Sequence, residues 1–287
     1  MTTTGESGGM STDTAQIDAY VRHLRAAGHP DTTINTWRSP LRRAAAELPH
    51  GLAATTDEVE AWLAGLRGTV SHNTLASYCT ALRNFYRWAI RTGRLDPAGR
   101  LDPAHLPRIG TRRGQPRPVP ADQLTILLTQ ARQPYRLWAL IAAYQGLRCC
   151  ELARLDRGDI TEETVHVRHG KGGAQRRVPT HPVVWEAVRD LPPGLICGGR
   201  SPKRVSDNIN READRLGIGD VHAHRLRHTA ATLWHTAAGG DLLVTQRLLG
   251  HASVSTTQIY AAVADDALRA AVLAVPAITP ATAAGPR

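Results

Sequence analysis

Between Asp13 and Arg94 the apolar residues recur at helical spacing. Ile17, Tyr20, Val21 and Leu24 stand at i, i+3, i+4 and i+7, and Val59, Trp62, Leu63 and Leu66 do the same behind a Thr55…Glu58 capping box. Ile34, Trp37, Leu41 and Leu48 mark a further helix, which Pro40 is expected to kink or delay because proline brings no N–H. The longest stripe runs from Ser71 to Thr92 through Leu75, Tyr78, Cys79, Leu82, Phe85, Tyr86, Ala89 and Ile90, with Gly93 as its stop. Residues 13–94 are therefore expected to form an all-α domain of four helices. Residues 1–12, rich in Thr, Ser and Gly, lack such a pattern and are expected to be disordered.

The pattern breaks at Gly93, where GRLDPA is repeated in tandem, and the next stretch to Pro120 is rich in proline and arginine. Residues 95–120 read as a stiff, positively charged linker. Helical periodicity returns at 122–131 and 136–144. Two short strands, 164–168 and 175–180, follow, joined by a glycine-rich turn around Lys171. Helices are then expected at 182–191, 204–216, 224–237, 241–249, 255–263 and 265–275. The fold class is mainly α: a four-helix N-terminal domain and an α+β domain, 121–264, with a small antiparallel sheet. In 265–275 the stripe Leu268, Ala271, Val272 and Val275 has no obvious place in its own core, and 276–287 reads as a disordered tail.

Charge narrows the class of partner. The 287 residues carry 35 Lys and Arg against 25 Asp and Glu, a net +10, so a polyanion is the first partner to consider. The longest uninterrupted apolar run, Leu137 to Tyr144, is far too short to span a bilayer, and the first fourteen residues hold no Lys or Arg to open a signal peptide. A cytoplasmic, nucleoid-associated protein is expected. The cysteines Cys79, Cys149, Cys150 and Cys197 have no CxxC spacing, which fits small core residues in a reducing compartment better than a disulfide frame or zinc knuckle. On the fourth helix Arg83, Arg87 and Arg91 form a row at i, i+4 and i+8 suited to a phosphate backbone, and Arg112 and Arg113 extend the positive charge into the linker. Arg204, Asn208, Arg211 and Arg215 are candidate base readers, placed opposite Val205, Ile209 and Leu216.

Chemistry concentrates in four short segments. In QGLRCCEL, Arg148 and Glu151 are three apart, where the carboxylate can hold the guanidinium at a fixed angle. In HAHRLRH, His224, Arg227 and His228 share one helical face, pairing a cation for an oxyanion with an imidazole for a proton. LLGHASVSTTQIY adds His251 and Tyr260, and HGKGGAQRRVP holds Lys171, one of only two lysines beside Lys203. A zinc site built from His222, His224, His228 and His251 is the weaker reading, because no carboxylate or thiolate stands among them at ligand spacing.

In this order and spacing the four segments resemble the motifs of the tyrosine recombinase (phage integrase) family, over about residues 13–264, closest to its two-domain Xer-like members. Gln145 departs from the family's usual residue at a non-catalytic place. The resemblance implies Arg148, Lys171, His224, Arg227 and His251 as the active-site set, Tyr260 as nucleophile and Glu151 in support. It also implies a site-specific recombinase that cleaves and rejoins double-stranded DNA through a 3′-phosphotyrosyl intermediate. Four protomers, of this chain alone or with a related recombinase, would act through a Holliday junction, with the 265–275 helix docking into a neighbour. No arm-binding domain is expected ahead of residue 13. The chemistry agrees: two permanent cations can balance a phosphodiester's non-bridging oxygens without a metal, a phenol needs a nearby base, and a leaving alkoxide needs a donor such as an ammonium. No metal or other cofactor is expected. The alternative is a sequence-specific DNA-binding protein of the same fold whose catalysis has lapsed, for which Tyr260 and Lys171 would have no use.

Overall fold

The structure is a computed structural model that describes residues 8–96, 101–112, 114–168, 175–250 and 265–278. The chain divides into two compact units, residues 1–114 and 115–287. Among the described residues no helix is long and apolar enough to cross a membrane.

The first unit holds α1 (Gly8–Ala26), α2 (Asp31–Glu47), α3 (Thr56–Gly65) and α4 (His72–Arg91). Helix α1 begins ahead of Asp13, so residues 8–12 are helical where disorder was expected. Helix α2 runs unbroken through Pro40. The missing N–H removes one helical bond, but Pro40, Leu41 and Ala44 are all buried and the packing of that face holds the turn together. The Thr55–Glu58 capping box forms as read, with Thr55 N–H donating to Glu58 at 2.8 Å. In the core, Tyr20 meets Phe85 edge-on with ring centroids 5.5 Å apart.

Much of the expected linker belongs to this unit. Leu101 and Leu106 are buried in its core, with Leu95 and Ile109 packed against it. Asn73 at the start of α4 holds the Arg112 backbone from both sides, its Nδ2 donating to the carbonyl at 2.9 Å and its Oδ1 accepting from the N–H at 2.8 Å. The other end is fastened to the second unit: Val119 is buried there, its N–H donates to Thr229 Oγ1 at 2.9 Å, and Arg225 donates to the Arg117 and Pro118 carbonyls.

The second unit comprises α5 (Ala121–Gln130), α6 (Tyr135–Gln145), α7 (Cys149–Leu152), β1 (Thr164–Val167), β2 (Arg176–Pro179), α8 (Pro182–Val188), α9 (Pro202–Arg215), α10 (Ala223–Ala237), α11 (Leu242–Leu249) and α12 (Asp265–Leu273). The strands pair antiparallel with Val165 opposite Val178 and Val167 opposite Arg176. Helix α6 is the central element, buried from Leu137 to Gln145 and packed on α10. It ends at Gly146 in the left-handed region at φ +56°, where a Cβ would lie 2.5 Å from the Trp234 ring, so only glycine fits. The chain can therefore turn sharply against α10 and enter α7.

Helix α12 corrects an expectation. Leu268, Ala271, Val272 and Val275 are buried in this unit's own core rather than left without a place there. The segment after the helix is also tied down: His181 Nε2 bonds the Val275 carbonyl at 2.8 Å, and Tyr144 Oη donates to the Pro276 carbonyl and accepts from the Ile278 N–H.

Candidate active site

Arg148 caps α7 rather than lying within it, so its pairing with Glu151 is a helix-start geometry and not the expected i, i+3 pair on one helix face. Glu151 Oε2 accepts from the Arg148 backbone N–H at 2.8 Å, and Oε1 from its Nη1 at 2.9 Å. The Glu151 side chain has no exposed surface, whereas that of Arg148 keeps 24%. Burial pushes the Glu151 carboxyl up, but hydrogen bonds from Arg176 and the Arg148 backbone outweigh it and the net direction is down.

Arg227 comes from the second turn of α10 and is buried. Its Nη1 donates to the Gly146 carbonyl, its Nη2 donates to the Leu249 carbonyl at 2.7 Å, and its guanidinium stands 3.8 Å from Glu151. Burial, with Arg148 and Arg176 nearby, pushes its pKa down to about 9, which leaves it protonated at neutral pH. Arg148 reaches the same helix end, with Nη2 at 3.4 Å from the Gly250 carbonyl.

A further arginine, not singled out in the sequence, completes the cluster. Arg176 grips both Glu151 oxygens, Nη1 to Oε1 at 2.7 Å and Nη2 to Oε2 at 2.8 Å, and its Nε donates to the Leu248 carbonyl at 3.3 Å. Strand alternation offered a signal, because Arg176 shares a strand face with buried Val178 while Arg177 faces solvent. An arginine on a core face needs an anionic partner. Three guanidiniums thus surround one carboxylate, and the surplus positive charge suits a bound phosphate.

His224 and His228 lie on the same helix as Arg227 as read, with ring centroids 4.4 Å apart and nearly perpendicular. Burial lowers the His224 pKa, and His228, His222, Arg227 and Arg148 push it further the same way. Lys171, His251, Tyr260 and Arg113 lie outside the described residues. So does the helix expected at 255–263. Gly250, which precedes His251 in the chain, ends α11 at φ +62°, with Arg176 Cδ only 2.7 Å from where a Cβ would stand.

Of the candidate DNA contacts, Arg87 and Arg91 are exposed on α4, whereas Arg83 is half-buried with Nη1 fully covered and without a hydrogen-bond partner among the described residues. Arg112 is exposed, and Asn73 holds only its backbone. On α9, Arg204 and Arg211 are exposed, but Asn208 is buried, and its Oδ1 accepts from Arg211. The reason is helical spacing: residues 205, 208, 209 and 212 form one i, i+3, i+4, i+7 stripe, and it faces the core. Arg215 is held by buried Glu212, which also binds the Arg132 backbone and side chain. Hydrogen bonds from Arg215 and Arg132 bring the Glu212 pKa down to about 2. Lys203 pairs with Asp207 at 2.5 Å.

Comparison with known proteins is consistent across both units. Residues 17–93 match the phage integrase N-terminal SAM-like domain, and residues 199–267 match the phage integrase family. The chain is 31% identical to the tyrosine recombinase XerC of Corynebacterium efficiens over 274 residues, 85% of each chain. It is 32% identical to that of Pseudomonas aeruginosa, covering 86% of this chain and 89% of the relative. Among solved structures, a lambda integrase dimer bound to a core site covers 86% of this chain and 94% of its own, at 20% identity and a TM-score of 0.68.

Proposed function

Since the chain belongs to the phage integrase family of tyrosine recombinases, we propose that Arg148, Lys171, His224, Arg227, His251 and Tyr260 form its active site. The arrangement of Arg148 and Arg227 about buried Glu151, with both close enough to act on His224 electrostatically, carries this reading. The two guanidiniums would bind the non-bridging oxygens of a DNA phosphodiester. Tyr260 Oη attacks phosphorus, passing its proton to neutral His224, while the bond to the 5′ oxygen breaks and Lys171 protonates that oxygen. His251 donates a hydrogen bond to the phosphate. The product is a 3′-phosphotyrosyl bond that retains the energy needed to rejoin strands, so the reaction uses neither ATP nor metal.

In this reading the protein acts in the cytoplasm on specific double-stranded sites, as a tetramer that exchanges strands through a Holliday junction. The test is covalent capture from a library of nicked duplexes with randomised cores, read as protein–DNA adduct on a denaturing gel. Wild-type protein should yield adducts, and Tyr260→Phe should bind the selected duplexes with unchanged affinity and yield none, because affinity comes from many phosphate contacts. Adduct with Tyr260→Phe would move the nucleophile to another tyrosine.

A further inference from the structure

We propose that Arg176 is a positioning residue for strand cleavage, acting through Glu151 and the end of α11; this rests on the active-site reading above. Three consecutive carbonyls end α11, and each accepts from a different arginine: Leu248 from Arg176, Leu249 from Arg227 and Gly250 from Arg148. The same three arginines face one buried carboxylate, Glu151. The two phosphate-binding candidates are thereby tied to the helix that leads directly into the His251–Tyr260 segment.

Arg176 holds this frame together. Alone of the three it takes Glu151 in a bidentate fork, using both Nη atoms, while its Nε holds the helix end. Its side chain is 12% exposed, half the value for Arg148, and its donors are directed to protein oxygens. The fork fixes the plane of the Glu151 carboxylate, and that plane sets where the Arg148 Nη1 contact can form. Glycine at position 250 leaves room for this arginine, because a Cβ there would stand 2.7 Å from Arg176 Cδ. Lysine cannot replace this geometry, since an ammonium donates from a single point.

The experiment compares wild type, Arg176→Met, Arg176→Lys, Glu151→Gln and the Arg176→Met/Glu151→Gln double variant on the duplexes captured by wild type. Single-turnover adduct formation at saturating DNA, DNA affinity and thermal denaturation are measured for each. Arg176→Met should slow adduct formation by about 10- to 100-fold, the scale of a small misplacement of catalytic groups, with affinity little changed. Arg176→Lys should recover only a small part of that rate, and it serves as the reporter if the methionine variant does not fold. The double variant should be no slower than the slower single variant, because both changes break one frame. A wild-type rate in either Arg176 variant, or losses that multiply in the double variant, would overturn the role of Arg176 alone. Absence of any adduct with wild type would overturn the active-site reading and this inference with it.

Discussion

His224 stands in the first turn of α10, half surrounded by cations and other imidazoles, and that setting decides its protonation. Burial and the neighbouring charges hold its pKa below the ordinary value near 6.5, so the ring is neutral at pH 7 and free to accept a phenol proton. The sign follows: protonation, which would abolish a general base, comes only as pH falls through the lowered pKa. In a pH profile of kcat/KM for adduct formation, the acid limb should therefore lie below about pH 6.5, and His224→Gln should remove that limb while slowing the reaction about 100-fold or more. An acid limb centred well above pH ~6.5 would show that another group is the base. At this scale local spacing made Arg148, Glu151, Arg227 and His224 legible, because each pair sits within one turn of chain. Arg176 was not legible in the same way. Its partner Glu151 is 25 residues away, and only the alternation of a four-residue strand hinted that it faced inward.

Among the elements, the long amphipathic helices were readable because a 3.6-residue period repeats several times within each. The segment from Leu95 to Ile109 was not, since Leu95, Leu101, Leu106 and Ile109 follow neither a helical nor a strand period and sit among Pro and Gly, yet they pack on the first core. Helix α12 failed for a different reason. Its stripe was plain, but the partner lies in α10, α11 and β2, far apart in sequence. With Leu268 buried at 7% exposure, Leu268→Ala should lower the stability of the isolated protein by roughly 2 kcal/mol or more, seen as a fall in Tm. A Tm equal to wild type would mean that the helix contributes nothing to its own chain and is held ready for another protomer.

For the whole molecule, a net charge of +10 says that binding will depend on salt, but it does not say which arginines supply the dependence. The structure separates them by what they already hold. Arg87 and Arg91 stand exposed on α4, where a phosphate can displace water without breaking a hydrogen bond or ion pair among the described residues. Arg215 makes an ion pair at 2.7 Å with a glutamate that is itself buried, and withdrawing it would leave that carboxylate short of a partner. Each contact to a DNA phosphate releases condensed counterions, so removing one changes the slope of log K against log salt concentration by about 1. Measured on one captured duplex, Arg87→Gln and Arg91→Gln should each flatten that slope by about 1, and together by about 2. Arg215→Gln should leave the slope as it is and instead lower Tm, through Glu212. Were Arg215→Gln to flatten the slope while Arg87→Gln did not, DNA would lie across α9 at the expense of a buried ion pair, and the exposed row on α4 would be a solvated face.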